Sequence, residues 1–152
     1  AYTAVDKAED DEATAFAVNA TGPRLLGEAT AARGIPIIHY STDYVFAGTK
    51  DAPYTEDDAT GPTGAYGRSK LAGEAALHAA NPRAITLRTA WVCSAHGHNF
   101  LKTMLRLAET RDEVSVVAGS IARASPPRTA SWRPIGGPGW RGRWIVSCRL
   151  ER

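Results

Sequence analysis

Residues 36–41 form the sequence Pro-Ile-Ile-His-Tyr-Ser, and this stretch decides the fold class. It is a short apolar run rich in β-branched and aromatic residues, which is typical of a buried parallel strand. A helix is predicted immediately before it, over Thr21–Arg33. Thr21 is the expected cap of this helix, Pro23 lies in its first turn and Gly34 ends it. A helix followed by such a strand indicates a βαβ unit.

Helices and strands alternate on both sides of this unit. A shorter helix is predicted at Asp10–Phe16, and a surface loop from Phe46 to Thr63, where Gly, Pro, Asp and Thr are dense. The elements predicted after this loop are a helix at Tyr66–Ala80, a strand at Ala84–Arg88, a helix at Asn99–Glu109 and a strand at Val114–Ala118. The alternation predicts an α/β fold with a partial doubly wound, Rossmann-like parallel sheet.

Three side chains near the central strand have the properties of a proton-transfer site. Tyr66 and Lys70 share a helical face because they are four residues apart. A lysine held beside a tyrosine lowers the tyrosine pKa from its usual value of about 10. Thr42 follows the strand, at the end where open α/β sheets place ligands. These residue types favour proton transfer coupled to hydride transfer at a carbonyl or alcohol, although a surface Tyr-Lys pair and a strand-end Thr bonding the backbone remain the alternative.

Five blocks of the sequence surround these residues in a fixed order. They are Ala1–Glu9, Val18–Asn19, His39–Phe46, Tyr66–Glu74 and Arg88–Val92. Together the blocks resemble the extended short-chain dehydrogenase/reductase superfamily and, within it, the dTDP-4-dehydrorhamnose reductases. The resemblance covers about residues 1–118.

This resemblance implies catalytic roles for Tyr66, Lys70 and Thr42. Tyr66 would protonate the C4 carbonyl oxygen of dTDP-4-dehydro-L-rhamnose while NADPH or NADH delivers hydride to the carbon. Lys70 would bind the nicotinamide ribose and tune Tyr66, and Thr42 would hydrogen-bond the reacting oxygen. Asp43 and Trp91 would contact the hexose, although a core aromatic following a strand is the alternative for Trp91.

The resemblance also implies a set of cofactor-binding residues. That set is Ala1, Tyr2, Thr3, Tyr66 and Lys70. The first three match a segment that runs past the cofactor at the end of a sheet strand. Asn19 matches a position that supports the active-site lysine and a water, and an asparagine bonding helix backbone groups is the alternative.

The composition limits the remaining classes of function. The 152 residues are 43% apolar and 22% charged, as in one soluble globular domain, and no apolar run approaches the 18 residues of a membrane span. No basic and apolar signal segment is present, so a cytoplasmic protein without membrane association is expected. Cys93 and Cys148 form no CxxC motif and the four histidines lack metal-ligand spacing, so no disulfide framework and no metal site are predicted.

Residues 119–152 differ in kind from the rest of the chain. They contain seven arginines and one acidic residue, Glu151, but the arginines alternate irregularly with Trp, Pro and Gly, so a nucleic-acid partner is not predicted. We predict a partial NAD(P)-binding reductase domain at 1–118, including the Tyr-x-x-x-Lys helix, and an atypical basic tail at 119–152 that is non-native or disordered. Our hypothesis is a shifted reading frame near Ala118. Reading the encoding DNA in the other two frames tests it, and finding no family-like sequence there would contradict it.

The glycine-rich turn that holds a dinucleotide's pyrophosphate has no clear counterpart in the sequence. Residues 137–142 match G-x-G-x-x-G literally, but they follow the catalytic block, contain Pro138 and Trp140, and have no clear strand before them. We therefore expect a fragment with little or no reductase activity in isolation. A nucleotide-sugar epimerase or dehydratase, or a non-catalytic regulatory subunit with the reductase fold, remain alternatives. The resemblance leaves the choice between NADH and NADPH open and allows a homodimer in the intact family member.

Overall fold

The structure is a computed structural model that describes residues 1–90, 92, 94, 96–110 and 142–147. Along the chain, its elements are α1 (Lys7–Asp10), α2 (Glu12–Phe16), a π-helical turn (Ala17–Thr21), α3 (Gly22–Ala31), β1 (Ile37–Thr42), a 3₁₀ turn (Asp43–Val45), α4 (Ala65–Ala80), β2 (Ala84–Ala90), α5 (Phe100–Ala108) and β3 (Gly142–Ser147). The predicted alternation of helices and strands is confirmed within these residues. The strand predicted at Val114–Ala118 lies outside them.

The strands form one parallel sheet in the order β1-β2-β3. Ile37 is paired with Ala84 and Thr42 with Thr89, so β1 and β2 are in register over their shared length. Helix α4 connects these two strands and packs against both, which completes a βαβ unit. The predicted α/β fold with a parallel sheet is therefore confirmed.

Strand β3 lies within the segment for which an irregular tail was predicted. It pairs in parallel with β2, with Gly142 opposite Ile85. Gly142 is also the last glycine of the literal G-x-G-x-x-G match. It begins a strand, whereas the turn of a dinucleotide-binding fold leads into a helix.

The described helices cover one side of the sheet. Helix α4 lies on β1 and β2, and α3 packs on α4. Ser41 and Thr42 are buried, whereas Ile38 is 58% exposed and Tyr40 is 67% exposed. The sequence predicted a buried strand, and this is wrong for the face of β1 that carries Ile38 and Tyr40, because both side chains are mostly exposed.

The helical segment before α3 has no break at Thr21. This residue has helical backbone angles, φ −65° and ψ −42°, and makes no side-chain cap, so its predicted capping role is wrong. The N–H of Gly22 donates to the carbonyl of Ala17, which closes a wide π-type turn and joins α2 to α3. The predicted stop at Gly34 is confirmed by its φ of 66° just after α3, a conformation that favours glycine.

Two glycines bring the backbone of α4 close to its neighbours. A Cβ atom added at Gly67 would lie 2.3 Å from the carbonyl oxygen of Tyr44, and one added at Gly73 would lie 2.0 Å from that of Asn19. Real Cβ contacts are never this short, so both positions require glycine unless the backbone moves. The first contact fixes the loop after β1 against the helix that carries Tyr66 and Lys70.

Candidate active site

The end of β1 places the hydroxyl of Thr42 in a defined network. Thr42 is the last residue of the strand and is buried. Its hydroxyl donates to Oδ1 of Asp43 at 3.1 Å and accepts from the N–H of Tyr44 at 3.2 Å. The second bond caps the short 3₁₀ turn that follows the strand. Thr42 is thus held at the carboxyl edge of the sheet, as the sequence predicted.

Tyr66 faces this network from the first turn of α4. Its ring packs edge-on against that of Tyr44, with 5.5 Å between centroids, and the Thr42 side chain lies close enough to influence its pKa. The start of α4 is fixed from another element, because the N–H of Ala65 donates to Oε1 of Glu9 at 2.7 Å. The structure therefore brings Thr42 and Tyr66 together although they are far apart in sequence.

The pKa of Tyr66 is raised above its ordinary value. Burial is the main cause, the hydrogen bond with Thr42 opposes it, and the nearby carboxylate of Asp43 adds to it. This direction is opposite to the one expected from a lysine beside the ring. The reason lies in the position of Lys70, whose ammonium is directed toward strand β1.

Lys70 lies one helical turn after Tyr66 and is 3% exposed. Its Nζ donates to the carbonyl oxygen of Tyr40 at 2.7 Å and lies 3.5 Å from Nε2 of His39. Burial lowers the pKa of Lys70, and the carboxylate of Glu74 opposes that shift. An ammonium has three hydrogens, so two acceptors on β1 leave one donor for a further group.

Asp43 joins the site through the Thr42 hydroxyl. Burial raises the pKa of its carboxyl group, and hydrogen bonds from Thr42 and from the main chain of the turn oppose the rise. The predicted hexose-contacting residue Asp43 is therefore adjacent to Thr42 and Tyr66. The other predicted hexose contact, Trp91, lies outside the described residues.

The segment Ala1–Thr3 reaches the site through its middle residue. Tyr2 and Tyr66 both pack against a small buried cluster of alanines, Ala8, Ala15 and Ala65. Ala1 and Thr3 are exposed. Tyr2, which the resemblance assigned to cofactor binding, thus shares a packing cluster with Tyr66.

Asn19 is buried and attaches this segment to α4. Its Oδ1 accepts from the N–H of Tyr2 at 2.9 Å, and its Nδ2 donates to the carbonyl of Tyr2 and to the hydroxyl of Ser69, both at 3.0 Å. The Ser69 hydroxyl in turn donates to the carbonyl of Tyr66 at 2.8 Å. Within the described contacts, Asn19 supports the residue before Lys70, whereas the resemblance implied support of Lys70 itself.

A buried ion pair beneath the site was missed by the sequence analysis. Glu74, one turn after Lys70, accepts from Arg88 of β2 through both carboxylate oxygens, at 3.0 and 2.6 Å. Arg88 is 0% exposed, and its guanidinium lies 4.9 Å from the ring centroid of Phe46. The i, i+4 spacing of Lys70 and Glu74 was the available signal, since both had to share one face of α4.

The described residues contain no group of three or more His, Cys, Asp and Glu side chains that could hold a metal ion. None of the helices within this part of the chain is long and apolar enough to cross a bilayer. Cys93 and Cys148 lie outside the described residues.

Comparison with known proteins identifies the family. The model of the RmlD substrate-binding domain matches residues 1–130. The chain belongs to this family. The dTDP-4-dehydrorhamnose reductase of Sinorhizobium fredii is 59% identical over 121 residues, which are 80% of this chain and 41% of that enzyme. The chain thus spans about two fifths of the length of this curated relative, and the predicted family resemblance is confirmed.

Solved structures with the same fold include members of this family. A crystal structure of a dTDP-4-dehydrorhamnose reductase from Clostridium acetobutylicum matches with a TM-score of 0.73 and 46% identity, over 77% of this chain and 41% of that chain. The enzyme from Bacillus anthracis in complex with NADP has the same TM-score and 40% identity, over 76% and 41% of the two chains. The Bordetella bronchiseptica enzyme WbmG in complex with NAD and UDP has a TM-score of 0.54 and 30% identity, over 61% and 30%.

Proposed function

We propose that this protein is a dTDP-4-dehydrorhamnose reductase, which uses NADPH or NADH to reduce the C4 carbonyl of dTDP-4-dehydro-L-rhamnose. The observation that carries the proposal is the convergence of Thr42, Tyr66 and Lys70 at the carboxyl end of β1. The family membership gives this convergence its chemical meaning, since the named relatives are reductases of this sugar.

The protonated phenol of Tyr66 is the form that a proton donor needs, and its raised pKa makes it a weaker acid than an ordinary tyrosine. Because burial disfavours the phenolate, the phenol keeps its proton at neutral pH, and reduction of a carbonyl consumes one proton at oxygen. Tyr66 gives this proton to the C4 oxygen. Thr42 turns its hydroxyl hydrogen from Asp43 to the same oxygen, and the N–H of Tyr44 keeps the Thr42 oxygen in place.

Lys70 suits the ribose next to the nicotinamide. Two of its hydrogens are directed at acceptors on β1, and the third is available to a hydroxyl group. The bound nicotinamide supplies the hydride that the side chains lack. The residues present therefore fit a nicotinamide cofactor at this end of the sheet.

Tyr44 favours a reductase over a dehydratase of the same superfamily. By the superfamily resemblance, dehydratases need an extra acidic pair near the strand-end threonine, whereas Thr42 and Asp43 are followed by Tyr44. Here that place is taken by an aromatic ring, which packs edge-on against Tyr66. A carboxylate for elimination is therefore not supplied from this position, and proton donation by Tyr66 is favoured.

The proposal is tested by placing residues 1–118 in the corresponding segment of the Sinorhizobium fredii reductase and assaying the hybrid with both nicotinamide cofactors. Tyr66→Phe is expected to lower kcat by about 10²- to 10⁴-fold, because it removes a general acid. Tyr54→Phe, which changes a tyrosine of the loop after β1, is the matched control and keeps activity. An active Tyr66→Phe hybrid would contradict the proposal. Turnover of the dTDP-sugar by the isolated 152 residues would contradict only the expectation that the chain is inactive in isolation.

A further inference from the structure

Lys70 is held by two consecutive residues of β1. The carbonyl oxygen of Tyr40 accepts one ammonium hydrogen at 2.7 Å, and the imidazole of His39 lies 3.5 Å away through Nε2. Strand geometry explains the pair, because the side chain of His39 faces α4 while its neighbour contributes only its main chain. The lysine therefore meets a side-chain acceptor and a main-chain acceptor from adjacent positions.

A flexible side chain needs more than one acceptor to fix its direction. The four-carbon stem of a lysine carries a large rotamer entropy, and one bond to a carbonyl leaves the ammonium free to rotate. Two acceptors define the direction of the third N–H. Asn19 is not available for this task, because its amide is committed to Tyr2 and Ser69.

We propose that His39 is a positioning residue for Lys70, whose neutral imidazole accepts an ammonium hydrogen at Nε2 and so directs the remaining N–H toward the cofactor ribose. The contact with the cofactor ribose rests on the proposed reductase function, whereas the hydrogen bond between Lys70 and His39 does not. The arrangement requires the tautomer with the proton on Nδ1, because an ammonium has no acceptor for an Nε2 hydrogen.

The surroundings of His39 keep the imidazole neutral. The pKa of His39 is lowered to about 4, mainly by burial and then by the charge of Lys70. Glu74 opposes this shift, and His78 and the amino terminus at Ala1 add to it. All three side chains that act on it come from α4. At neutral pH the imidazole is thus an acceptor and not a competing cation.

The first test measures the tautomer in the full 152-residue chain. Nitrogen NMR of labelled histidine is expected to show His39 with a protonated Nδ1 and an unprotonated Nε2 at neutral pH, and with no protonation until the pH approaches about 4. A hydrogen on Nε2, or an imidazolium at neutral pH, would overturn the proposal. This readout needs no cofactor and no activity.

The second test uses the hybrid reductase. His39→Leu is expected to raise the KM for the nicotinamide cofactor by about tenfold or more, because it removes an acceptor from a charged donor. His39→Gln keeps an acceptor oxygen and is expected to stay within about threefold of the unsubstituted hybrid. The exposed residue His96 supplies the control, since His96→Gln leaves both kinetic constants unchanged.

The outcomes separate the two proposals. If His39→Leu and His39→Gln behave alike, whether both active or both impaired, the positioning role is overturned. If His39→Leu does not fold, the tautomer of the unsubstituted chain and the His39→Gln kinetics still test it. An active Tyr66→Phe hybrid would remove the proposed function but leave the tautomer result intact.

Discussion

The two sides of strand β1 differ in a way that reverses the usual distribution of side chains. On the side covered by α4 lie His39, Lys70 and the Glu74–Arg88 ion pair, all wholly or partly buried. On the other side Ile38 and Tyr40 are mostly exposed. A buried charge destabilises a fold unless it is paired. The charged groups on the covered side are therefore explained by the candidate active site, since apolar side chains would be less costly to bury. Substitutions on the two sides are therefore expected to differ in their effect on stability.

The largest effect on stability is expected on the covered side at Arg88. Arg88→Ala leaves the carboxylate of Glu74 buried and unpaired, which destabilises the fold by about 3–5 kcal/mol. Urea unfolding of the purified chain measures this change. The double variant Glu74→Leu, Arg88→Met removes both charges and is expected to recover most of the loss. A single variant as stable as the unsubstituted chain would show that the pair does not organise this side.

The next effect concerns how closely α4 approaches its neighbours. Gly73→Ala introduces a Cβ 2.0 Å from the carbonyl oxygen of Asn19, so the helix must move, at a cost of about 1–3 kcal/mol. Gly22→Ala is the matched helical control. Apart from its chain neighbours, its Cβ would meet the Ala17 carbonyl oxygen at an unstrained 3.8 Å. The gain in helix propensity is opposed by the ring of Pro23, so stability is expected to change by less than about 1 kcal/mol. Thermal unfolding of both variants gives the comparison, and equal effects would contradict it.

A pH effect of smaller size is expected from His39. Its folded-state pKa of about 4 lies below the unfolded value of 6.5, so the unfolded chain binds more protons between these values. Stability is therefore complete above about pH 6.5 and falls as the pH drops toward about 4, and solvent screening of the partly exposed imidazole keeps this loss small.

Two variants test whether His39 causes this pH dependence of stability. His39→Gln removes it and flattens the pH dependence between these limits. His96→Gln, at an exposed position, leaves the dependence as it is. Chemical unfolding across this pH range measures both, and a slope that survives His39→Gln would assign the effect elsewhere.

The smallest effect is expected on the open side of β1. Ile38→Thr changes a side chain that is 58% exposed and keeps a β-branched residue in the strand, so stability should change by less than about 0.5 kcal/mol. The same urea experiment as for Arg88 measures it. A loss comparable to that of Arg88→Ala would show that both sides of the strand contribute alike.

Local patterns predicted most of the elements, because hydrophobic periodicity and stop signals act within a few residues. Helix α4 begins at Ala65 and was predicted from Tyr66, and β2 begins at Ala84 as predicted. The π-helical turn could not be predicted from local patterns, because it packs against α4, with Asn19 close to Gly73, and these residues are far apart in sequence. The hydroxyl group of Thr21 suggested a helix cap, but Thr21 lies within a continuous helical segment and makes no cap.

The sequence predicted which residues belong to the candidate site, but it did not predict their hydrogen-bond and ion-pair partners. The positions of Thr42, Tyr66 and Lys70 relative to the strand follow from sequence spacing. The partner of Lys70 does not, since any acceptor on a neighbouring strand satisfies the same spacing. Similarly, Glu74 could have paired with Arg68, Arg83 or Arg88, and only the sheet register places Arg88 beneath it.

The side-chain amide of Asn19 makes two hydrogen bonds with the main chain of Tyr2. It accepts one from the N–H and donates one to the carbonyl oxygen, as a neighbouring peptide group would. Both bonds depend on an amide that can be lost by deamidation. Deamidation would convert the donor into a carboxylate oxygen that faces the Tyr2 carbonyl, so that two acceptors oppose each other where a bond had been. The damage would spread through Ser69 to the turn that bears Tyr66 and Lys70. Burial of Asn19 protects against this ageing reaction, which links the working lifetime of the site to the integrity of one amide.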